Sequence, residues 1–208
     1  MKIAVIGSGI SGLSAAYLLS LKHTVSLYEA APRLGGHTHT HTIERPDGNW
    51  NVDTGFIVFN EKTYPNLIRL LAHFGITGRL SSMSFSVRNE VTDFEYKAST
   101  LDTIFAQRGN LLNPSMYRLI SEIFRFKKGS LEFLHSKQEE MSLGAYLKEY
   151  DYSELFISHF ILPMGAAIWS SSIKIMMNFP ARFFMRFLHN HGFLEMKDKP
   201  QWFTVPGG

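Results

Sequence analysis

The chain begins with a short apolar run, Lys2-Ile3-Ala4-Val5-Ile6, that leads directly into the glycine-rich sequence Gly7-Ser8-Gly9-Ile10-Ser11-Gly12. A helical pattern follows, and a second apolar run ends at Glu29. This order predicts a strand over 2–6, a helix over 10–21 and a strand over 24–29. The glycine pattern alone is weak evidence. Between a predicted strand and helix, with an acidic residue about 20 positions later, it is typical of a dinucleotide-binding unit.

Each glycine of this loop has a physical role in such a unit. Gly7 permits a tight turn out of the strand, Gly9 lets the backbone approach a pyrophosphate, and Gly12 lets the helix pack close to the sheet. The N–H groups of Ile10 and Ser11, together with the positive end of the helix dipole, favour an anion. The alternative is that these glycines only form a tight turn between strand and helix.

The acidic residue after the second strand narrows the choice of dinucleotide. Glu29 is placed to accept hydrogen bonds from ribose hydroxyls, and its charge would repel a 2′-phosphate, so FAD or NAD is expected rather than NADP. A second glycine pair follows in Arg33-Leu34-Gly35-Gly36, and no further alternation of strands and helices is found. Both features disfavour an NAD-dependent dehydrogenase.

Composition excludes several other classes. The 208 residues are 45% hydrophobic and 19% charged, which is typical of a globular protein. The net charge of +3 comes from scattered basic residues, so no nucleic-acid partner is predicted. The absence of cysteine excludes disulfides, thiolate catalysis and cysteine metal sites. No apolar run reaches the roughly 18 residues of a transmembrane helix, and a cytoplasmic location is expected.

The rest of the chain predicts two further sections. A hairpin is expected across 37–43 and 51–59 with its turn at Pro46-Asp47-Gly48, followed by a helix over 63–74. After residue 79 the patterns predict short strands and then helices, the longest starting at Asn113-Pro114. These later elements are strands at 84–87 and 94–96 and helices at 142–149, 153–161 and 180–190.

The last residues predict a return to the first section. Strand-like Trp202-Phe203-Thr204 is followed by the turn sequence Val205-Pro206-Gly207-Gly208. Only two strands of the first sheet are accounted for, so residues beyond 208 are expected to complete it. The predicted fold class is α/β: an incomplete Rossmann-like FAD-binding domain with an inserted, mainly helical α+β substrate domain. The predicted boundaries are 1–78 for the first part of the FAD-binding domain, 79–200 for the substrate domain and 201–208 for the return.

Three motifs stand out: Gly7-Ser8-Gly9-Ile10-Ser11-Gly12-Leu13-Ser14-Ala15-Ala16, Glu29-Ala30 with Arg33-Leu34-Gly35-Gly36, and Val52-Asp53-Thr54-Gly55-Phe56. Together they resemble the flavin-containing amine oxidase superfamily, which includes protoporphyrinogen oxidases and carotenoid desaturases. The run Gly35-Gly36-His37-Thr38-His39-Thr40, with Val52-Asp53-Thr54-Gly55-Phe56-Ile57-Val58, most resembles its bacterial branch of NAD/FAD-binding oxidoreductases. A thinner match lies at Pro163-Met164-Gly165-Ala166-Ala167-Ile168-Trp169-Ser170.

The resemblance implies FAD as the cofactor and an oxidoreductase that transfers hydride from a largely apolar or amine substrate to the flavin. It places Glu29 at the adenosine ribose, Arg33 near the ribose and phosphates, and Gly55 with Phe56 near the isoalloxazine ring. His37 stands where many amine oxidases have arginine. The residues expected to bind the cofactor are Gly7, Gly9, Ile10, Ser11, Gly12, Glu29, Ala30, Arg33, Gly35, Gly36, His37, Thr38, Gly55 and Phe56.

Several alternatives stay beside this interpretation. His37, His39 and His41 alternate and would share one face of a strand, as in a zinc or copper site, but no cysteine or carboxylate completes the set and no metal is predicted. A mainly aromatic stripe interrupted by Arg182 and Arg186 is compatible with core, with the lining of an apolar substrate cavity or with peripheral membrane contact. Its residues are Phe183, Phe184, Met185, Phe187 and Leu188. A nucleotide-binding module without turnover is the alternative function. No catalytic residue is indicated, since the superfamily's lysine near the flavin has no counterpart here. The oligomeric state is not indicated either.

Overall fold

The computed structural model describes residues 1–195 and 200–208 and divides the chain into two compact units. The first unit comprises Met1–Ser82 and Gln201–Gly208, and the second comprises Met83–Pro200. Residues 196–199 of the predicted substrate domain lie outside the described residues. The chain therefore leaves the first unit once and returns to it.

The first unit opens with a parallel βαβ motif. Strand β1 (Lys2–Ile6) and strand β2 (Thr24–Tyr28) pair in parallel, from Lys2 opposite Thr24 to Ile6 opposite Tyr28. Helix α1 (Ile10–Ser20) connects them. Parallel strands need such a crossover because a tight turn can only join antiparallel ones. The predicted strand, helix and strand are confirmed to within a residue at each end.

A hairpin follows, but it is shorter than predicted. Strand β3 (Thr40–Arg45) pairs antiparallel with β4 (Gly48–Asp53) around the predicted turn. The expectation that the strands extend over 37–43 and 51–59 is wrong. Residues 37–39 form a loop that is hydrogen-bonded at Thr38 and His39. The chain then bends after Asp53 before the short strand β5 (Phe59–Asn60).

Helix α2 (Pro65–His73) and a three-stranded antiparallel sheet complete the first unit. The helix ends where predicted, since the N–H groups of Gly75 and Ile76 donate to the carbonyls of Ala72 and Leu71. In the sheet, β9 (Trp202–Thr204) lies between β5 and β6 (Arg79–Ser81). The predicted strand at 202–204 is therefore confirmed.

The second unit is mainly helical and begins with a hairpin of β7 (Ser86–Asn89) and β8 (Phe94–Lys97). Its helices are α3 (Leu101–Ile104), a 3₁₀-helix (Arg108–Leu112), α4 (Pro114–His135), α5 (Leu143–Glu149), α6 (Glu154–Phe156), a π-helical segment (Ile157–Ile161), α7 (Leu162–Trp169), α8 (Ile173–Met177) and α9 (Ala181–Asn190).

Helix α4 begins as predicted, because the side chain of Asn113 accepts a hydrogen bond of 3.0 Å from the N–H of Ser115. The predicted end of a helix at residue 161 is wrong. The helix runs on past Pro163 to the end of α7, because the π-helical segment precedes this proline and places it in the first turn of α7. Helices α3 and α8 and the 3₁₀-helix were not predicted, because each is too short for the spacing of its apolar residues to indicate a helix.

Burial differs between the two units. The second unit has a core of bulky apolar side chains, among them Phe126, Tyr146 and Phe184, each with an exposed fraction of 1% or less. In the first unit, all of whose residues are described, Phe59 is the one buried apolar residue. The other apolar side chains of the first unit are partly buried or exposed. Among the described helices, none has the length and apolar character to cross a membrane.

Candidate functional site

The candidate site is built on the glycine-rich loop between β1 and α1. The N–H of Gly7 donates to the carbonyl of Tyr28 at 2.8 Å and so extends the pairing of β1 with β2. Helix α1 starts after Gly9, and among the described residues no side chain caps it. The N–H groups at Ile10 and Ser11 therefore start the helix without a side-chain acceptor. Such a helix start can bind an anion.

Gly12 has to be glycine for this loop and helix to meet. A Cβ atom added to Gly12 would lie 1.9 Å from the carbonyl oxygen of Gly7 and 3.7 Å from a methyl group of Val5. The first distance is far below van der Waals contact. The expected close packing of α1 on the strand is thus present at Gly12.

Glu29 is held by the glycine-rich loop and by the turn that follows β2. Its Oε2 accepts from the N–H of Ser8 at 2.8 Å and from the Ser8 hydroxyl at 2.5 Å, and its Oε1 accepts from the N–H of Ala31 at 2.9 Å. The hydrogen bond from Ala31, followed by those from Ser8, lowers the pKa of Glu29 to about 2. The carboxylate is therefore ionised at neutral pH. Ala30 lies in the bend between these groups.

Ser8 is a site residue that the sequence interpretation omitted. It is completely buried, and it binds Glu29 through its main chain and its side chain. Its carbonyl also accepts from the N–H of Gly35 at 2.9 Å. Its position inside the first glycine motif was the available signal, because a small hydroxyl side chain there can reach the acidic end of β2.

The second glycine pair lies against the first glycine loop. Gly36 has a φ of +61°, and a Cβ atom at this position would lie 2.7 Å from the Cα of Gly9. Only a residue without a side chain allows this approach in this backbone conformation. The structure thus brings Gly7, Gly9, Gly35 and Gly36 together around the start of α1.

Arg33 binds the loop that carries the second glycine pair. Its Nη1 donates to the carbonyl of Thr38 at 2.9 Å, and its Nη2 donates to the carbonyl of Gly36 at 2.7 Å. Both terminal nitrogens of the guanidinium therefore donate to main-chain carbonyls of the loop that follows Arg33. A direct contact of Arg33 with a ribose or a phosphate stays a prediction.

The third motif packs against this same loop. A Cβ atom at Gly55 would lie 2.0 Å from the carbonyl oxygen of His37, so Gly55 also permits a close approach. Next to it, the N–H of Thr54 donates to the carbonyl of His39 at 2.8 Å. The ring of Phe56 packs edge-on against Tyr64 at a centroid distance of 5.6 Å. The sequence-predicted cofactor residues therefore cluster on three loops of the first unit.

The expected arrangement of three histidines on one strand face is wrong. His37 and His39 precede β3, and only His41 lies within it. The rings of His39 and His41 are 3.9 Å apart. Desolvation, followed by the positive charge of Arg33 and the neighbouring His41, lowers the pKa of His39. In the part of the chain that the structure describes, no three histidine, cysteine or acidic side chains form a group able to hold a metal ion.

In the second unit, the aromatic stripe of α9 divides between core and surface. Phe184 is buried, whereas Phe183 is 55% exposed. The indole of Trp169 is half-buried, with ring centroids 4.7 Å from Phe187 and 4.9 Å from Phe179. This packing favours a structural role for Trp169.

The fold and the site define a mixed α/β chain whose glycine-rich βαβ motif meets two further glycine loops. The chain belongs to the flavin-containing amine oxidoreductase family, whose model matches residues 10–195. The recognition of the superfamily from its motifs is confirmed by this match.

Individual relatives include desaturases and oxidases. The chain is 38% identical over 88 residues to 15-cis-phytoene desaturase of Synechococcus elongatus, which is 42% of this chain and 18% of the relative. It is 31% identical over 150 residues to protoporphyrinogen oxidase of Schizosaccharomyces pombe, covering 62% of this chain and 29% of the relative. The chain thus spans less than a third of the length of these curated relatives.

A solved structure supports the fold. The whole chain superimposes on 46% of a triple mutant of putrescine oxidase redesigned in its cofactor binding, with a TM-score of 0.56 and 21% identity. At this identity the likeness concerns the fold alone.

Proposed function

We propose that this chain provides the FAD-binding part of an oxidoreductase that transfers hydride from a largely apolar or amine substrate to the flavin. In this proposal the first unit is a Rossmann-like FAD-binding domain and the second unit is the substrate domain. The observation that carries it is the contact of Gly36 with Gly9 at the uncapped start of α1, beside an ionised Glu29.

The residues at this place fit a dinucleotide. Gly9 presents backbone without a side chain, and an added Cβ atom there would meet only the Cα of Gly36, at 3.9 Å. A pyrophosphate needs such an open approach to the start of a helix. The N–H groups of Ile10 and Ser11 would hold the phosphates. The carboxylate of Glu29 would accept the ribose hydroxyls, as its ionised state allows.

The remaining loops would define the flavin half of the cofactor site. Gly35 and Gly36 would pass close to the cofactor because neither has a side chain, and Arg33 keeps this loop in place through the carbonyls of Gly36 and Thr38. Gly55 and Phe56 would approach the isoalloxazine ring. When bound, FAD supplies the hydride acceptor, and the protein's task is to position a substrate C–H bond beside it.

The substrate class is proposed from the relatives. The relatives and structural neighbours include a phytoene desaturase and a putrescine oxidase, and phytoene is an apolar hydrocarbon whereas putrescine is an amine. We assign no catalytic residue.

The experiment that tests the proposal compares FAD with FMN, which lacks the adenosine half. Purified protein is titrated with each cofactor, and binding is followed by flavin fluorescence. Since Glu29 would contact the ribose of the adenosine half, FAD should bind more tightly than FMN, and Glu29→Gln should reduce this preference about tenfold, the effect of losing one charged hydrogen bond. Glu44→Gln, an exposed acid on β3, is the matched control and should change neither affinity.

Each outcome has a distinct meaning. Equal affinity for FAD and FMN, or no binding of FAD, would refute the adenosine-binding role of Glu29. If FAD binds with the expected preference but neither putrescine nor phytoene reduces the bound flavin, the alternative of a nucleotide-binding module without turnover gains support.

A further inference from the structure

The two carboxylate oxygens of Glu29 have different numbers of hydrogen-bond donors. Oε2 accepts two hydrogen bonds, both from Ser8: one from the N–H at 2.8 Å and one from the hydroxyl at 2.5 Å. Among the described residues, Oε1 has one donor in hydrogen-bonding geometry, the N–H of Ala31 at 2.9 Å. The main chain of Ala30 also favours the ionised carboxylate, with a smaller effect than Ala31 or Ser8.

This difference leaves Glu29 a limited capacity for further donors. An ionised carboxylate has about four lone-pair positions, two on each oxygen. Ser8 fills both positions on Oε2, and Ala31 fills one of those on Oε1. One position is then left for a ligand, and it is on Oε1.

The surroundings of the two oxygens point to the same conclusion. The two hydrogen bonds at Oε2 are partly buried, and Ser8 itself is completely buried. The hydrogen bond from Ala31 to Oε1 is exposed. A ligand that approaches from solvent therefore meets Oε1, whereas Oε2 faces the interior of the glycine-rich loop.

Ser8 is fixed in this arrangement by its main chain. Its N–H donates to Glu29, and its carbonyl accepts from the N–H of Gly35 at 2.9 Å, so the residue is held on both sides. Because Ser8 has no exposed surface, water is not available to replace Oε2 as the acceptor of its hydroxyl. Turning the hydroxyl away would leave a buried donor without an acceptor, which is unfavourable.

We propose that the hydroxyl of Ser8 is a specificity-determining group: it occupies Oε2 of Glu29, so that the carboxylate accepts one ribose hydroxyl of FAD through Oε1 and not two. This inference rests on the proposed function, in which Glu29 accepts ribose hydroxyls, and it limits their number. The adenosine ribose carries a 2′- and a 3′-hydroxyl. The contact with Glu29 should therefore tolerate a dinucleotide that lacks one of them.

Removal of the Ser8 hydroxyl should change this selectivity without removing the charge of Glu29. In Ser8→Ala the N–H of residue 8 and the N–H of Ala31 can still donate to the carboxylate. The hydrogen bond from Ala31 contributes most to the low pKa of Glu29, so the carboxylate stays ionised at neutral pH. One lone pair of Oε2 becomes free, and the carboxylate can then accept both ribose hydroxyls.

The test compares FAD with two analogues that carry 2′-deoxyribose or 3′-deoxyribose in the adenosine half. Each is titrated into the wild type and into Glu29→Ala, and binding is followed by flavin fluorescence. The loss of affinity that occurs in the wild type but not in Glu29→Ala is the part that depends on Glu29. We expect this loss to be about tenfold for one analogue, the effect of one charged hydrogen bond, and absent for the other.

Ser8→Ala is measured with the same three ligands. Its loss of affinity relative to FAD should be about tenfold for both analogues, because both hydroxyls then donate to Glu29. Ser26→Ala, an exposed serine on β2, is the matched control and should behave as the wild type does. Circular dichroism verifies that the variants are folded, and the comparison with Glu29→Ala tests the inference even where Ser8→Ala does not fold.

The outcomes separate this inference from the proposed function. If the wild type binds no FAD, both are wrong. If FAD binds and both analogues show a loss that depends on Glu29 in the wild type, the carboxylate accepts two hydroxyls and the inference alone is overturned. The same holds if Ser8→Ala discriminates between the analogues as the wild type does. If neither analogue shows such a loss, Glu29 does not contact the ribose, which overturns the inference and the adenosine-binding role of Glu29 together.

Discussion

The contact between the two glycine loops makes a sharp prediction for Gly36→Ala. The substitution adds one methyl group at a residue with a φ of +61°, where the new Cβ atom would lie 2.7 Å from the Cα of Gly9 and 3.3 Å from its nitrogen. Two costs therefore arise, one from the left-handed backbone conformation and one from the contact.

The two costs can be separated by a second variant. Gly75 has a φ of +70°, and an added Cβ atom there would meet nothing within 4 Å. Gly75→Ala should therefore lose only the conformational contribution of about 1–2 kcal/mol. Gly36→Ala should lose this contribution and, in addition, about 1–3 kcal/mol for overpacking against Gly9, because one of the two loops must retreat by several tenths of an ångström.

Hydrogen exchange measured by mass spectrometry reports on both variants. Peptides that cover residues 30–40 in Gly36→Ala and peptides that cover residue 75 in Gly75→Ala are each compared with the same peptides of the wild type. Opening should increase about five- to 150-fold more in Gly36→Ala, which is the contact contribution expressed as an equilibrium constant. FAD titration should show the same order, with the affinity reduced in Gly36→Ala and retained in Gly75→Ala. Equal increases in the opening of these two sets of peptides would refute the reasoning, because the contact with Gly9 would then carry no energy.

Three further perturbations test other parts of the chain. Ser8→Ala should raise the pKa of Glu29 from about 2 towards its ordinary value in an NMR pH titration, because the hydrogen bond from the Ser8 hydroxyl is lost. In the wild type, the ionised Glu29 contributes its full stabilisation above about pH 4.5, and this contribution is lost as the pH falls towards 2. Asn113→Ala removes the cap of α4 and should destabilise the second unit by about 1 kcal/mol in urea unfolding. Phe184→Ala empties a completely buried position and should cost about 3–5 kcal/mol in the same assay. An unchanged pKa or unfolding midpoint would contradict the corresponding assignment.

The glycine motif was predictable because its constraints are local. Gly12 contacts Gly7, five residues away, and both lie at the junction of a strand and a helix that the apolar pattern reveals. Glu29 could be placed as well, since the pairing of two short parallel strands fixes where the second one ends. Even so, the binding of Glu29 by Ser8 was missed, because a serine between two glycines is also explained by the turn alone.

Other features depend on contacts that no local pattern reveals. The alternation of His37, His39 and His41 is typical of a strand, yet the contact of Gly55 with His37 and the hydrogen bond from Arg33 to Thr38 hold residues 37–39 as a loop. A partner distant in sequence thus overrides a local preference. The continuation of the helix past Pro163 has the same kind of cause, since the π-helical segment before it lies in the core of the second unit through Phe160 and Ile161.

The two units consequently respond to substitution by different mechanisms. In the second unit, large buried side chains determine the packing, so their truncation removes apolar contacts and creates cavities. In the first unit, the candidate site rests on backbone approaches at Gly12, Gly36 and Gly55, where an added methyl group meets a carbonyl or a Cα atom. Addition of atoms, rather than their removal, is therefore the sensitive perturbation there. This asymmetry follows from the proposed role of the first unit, because a surface that brings main-chain N–H groups close to a pyrophosphate must exclude side chains.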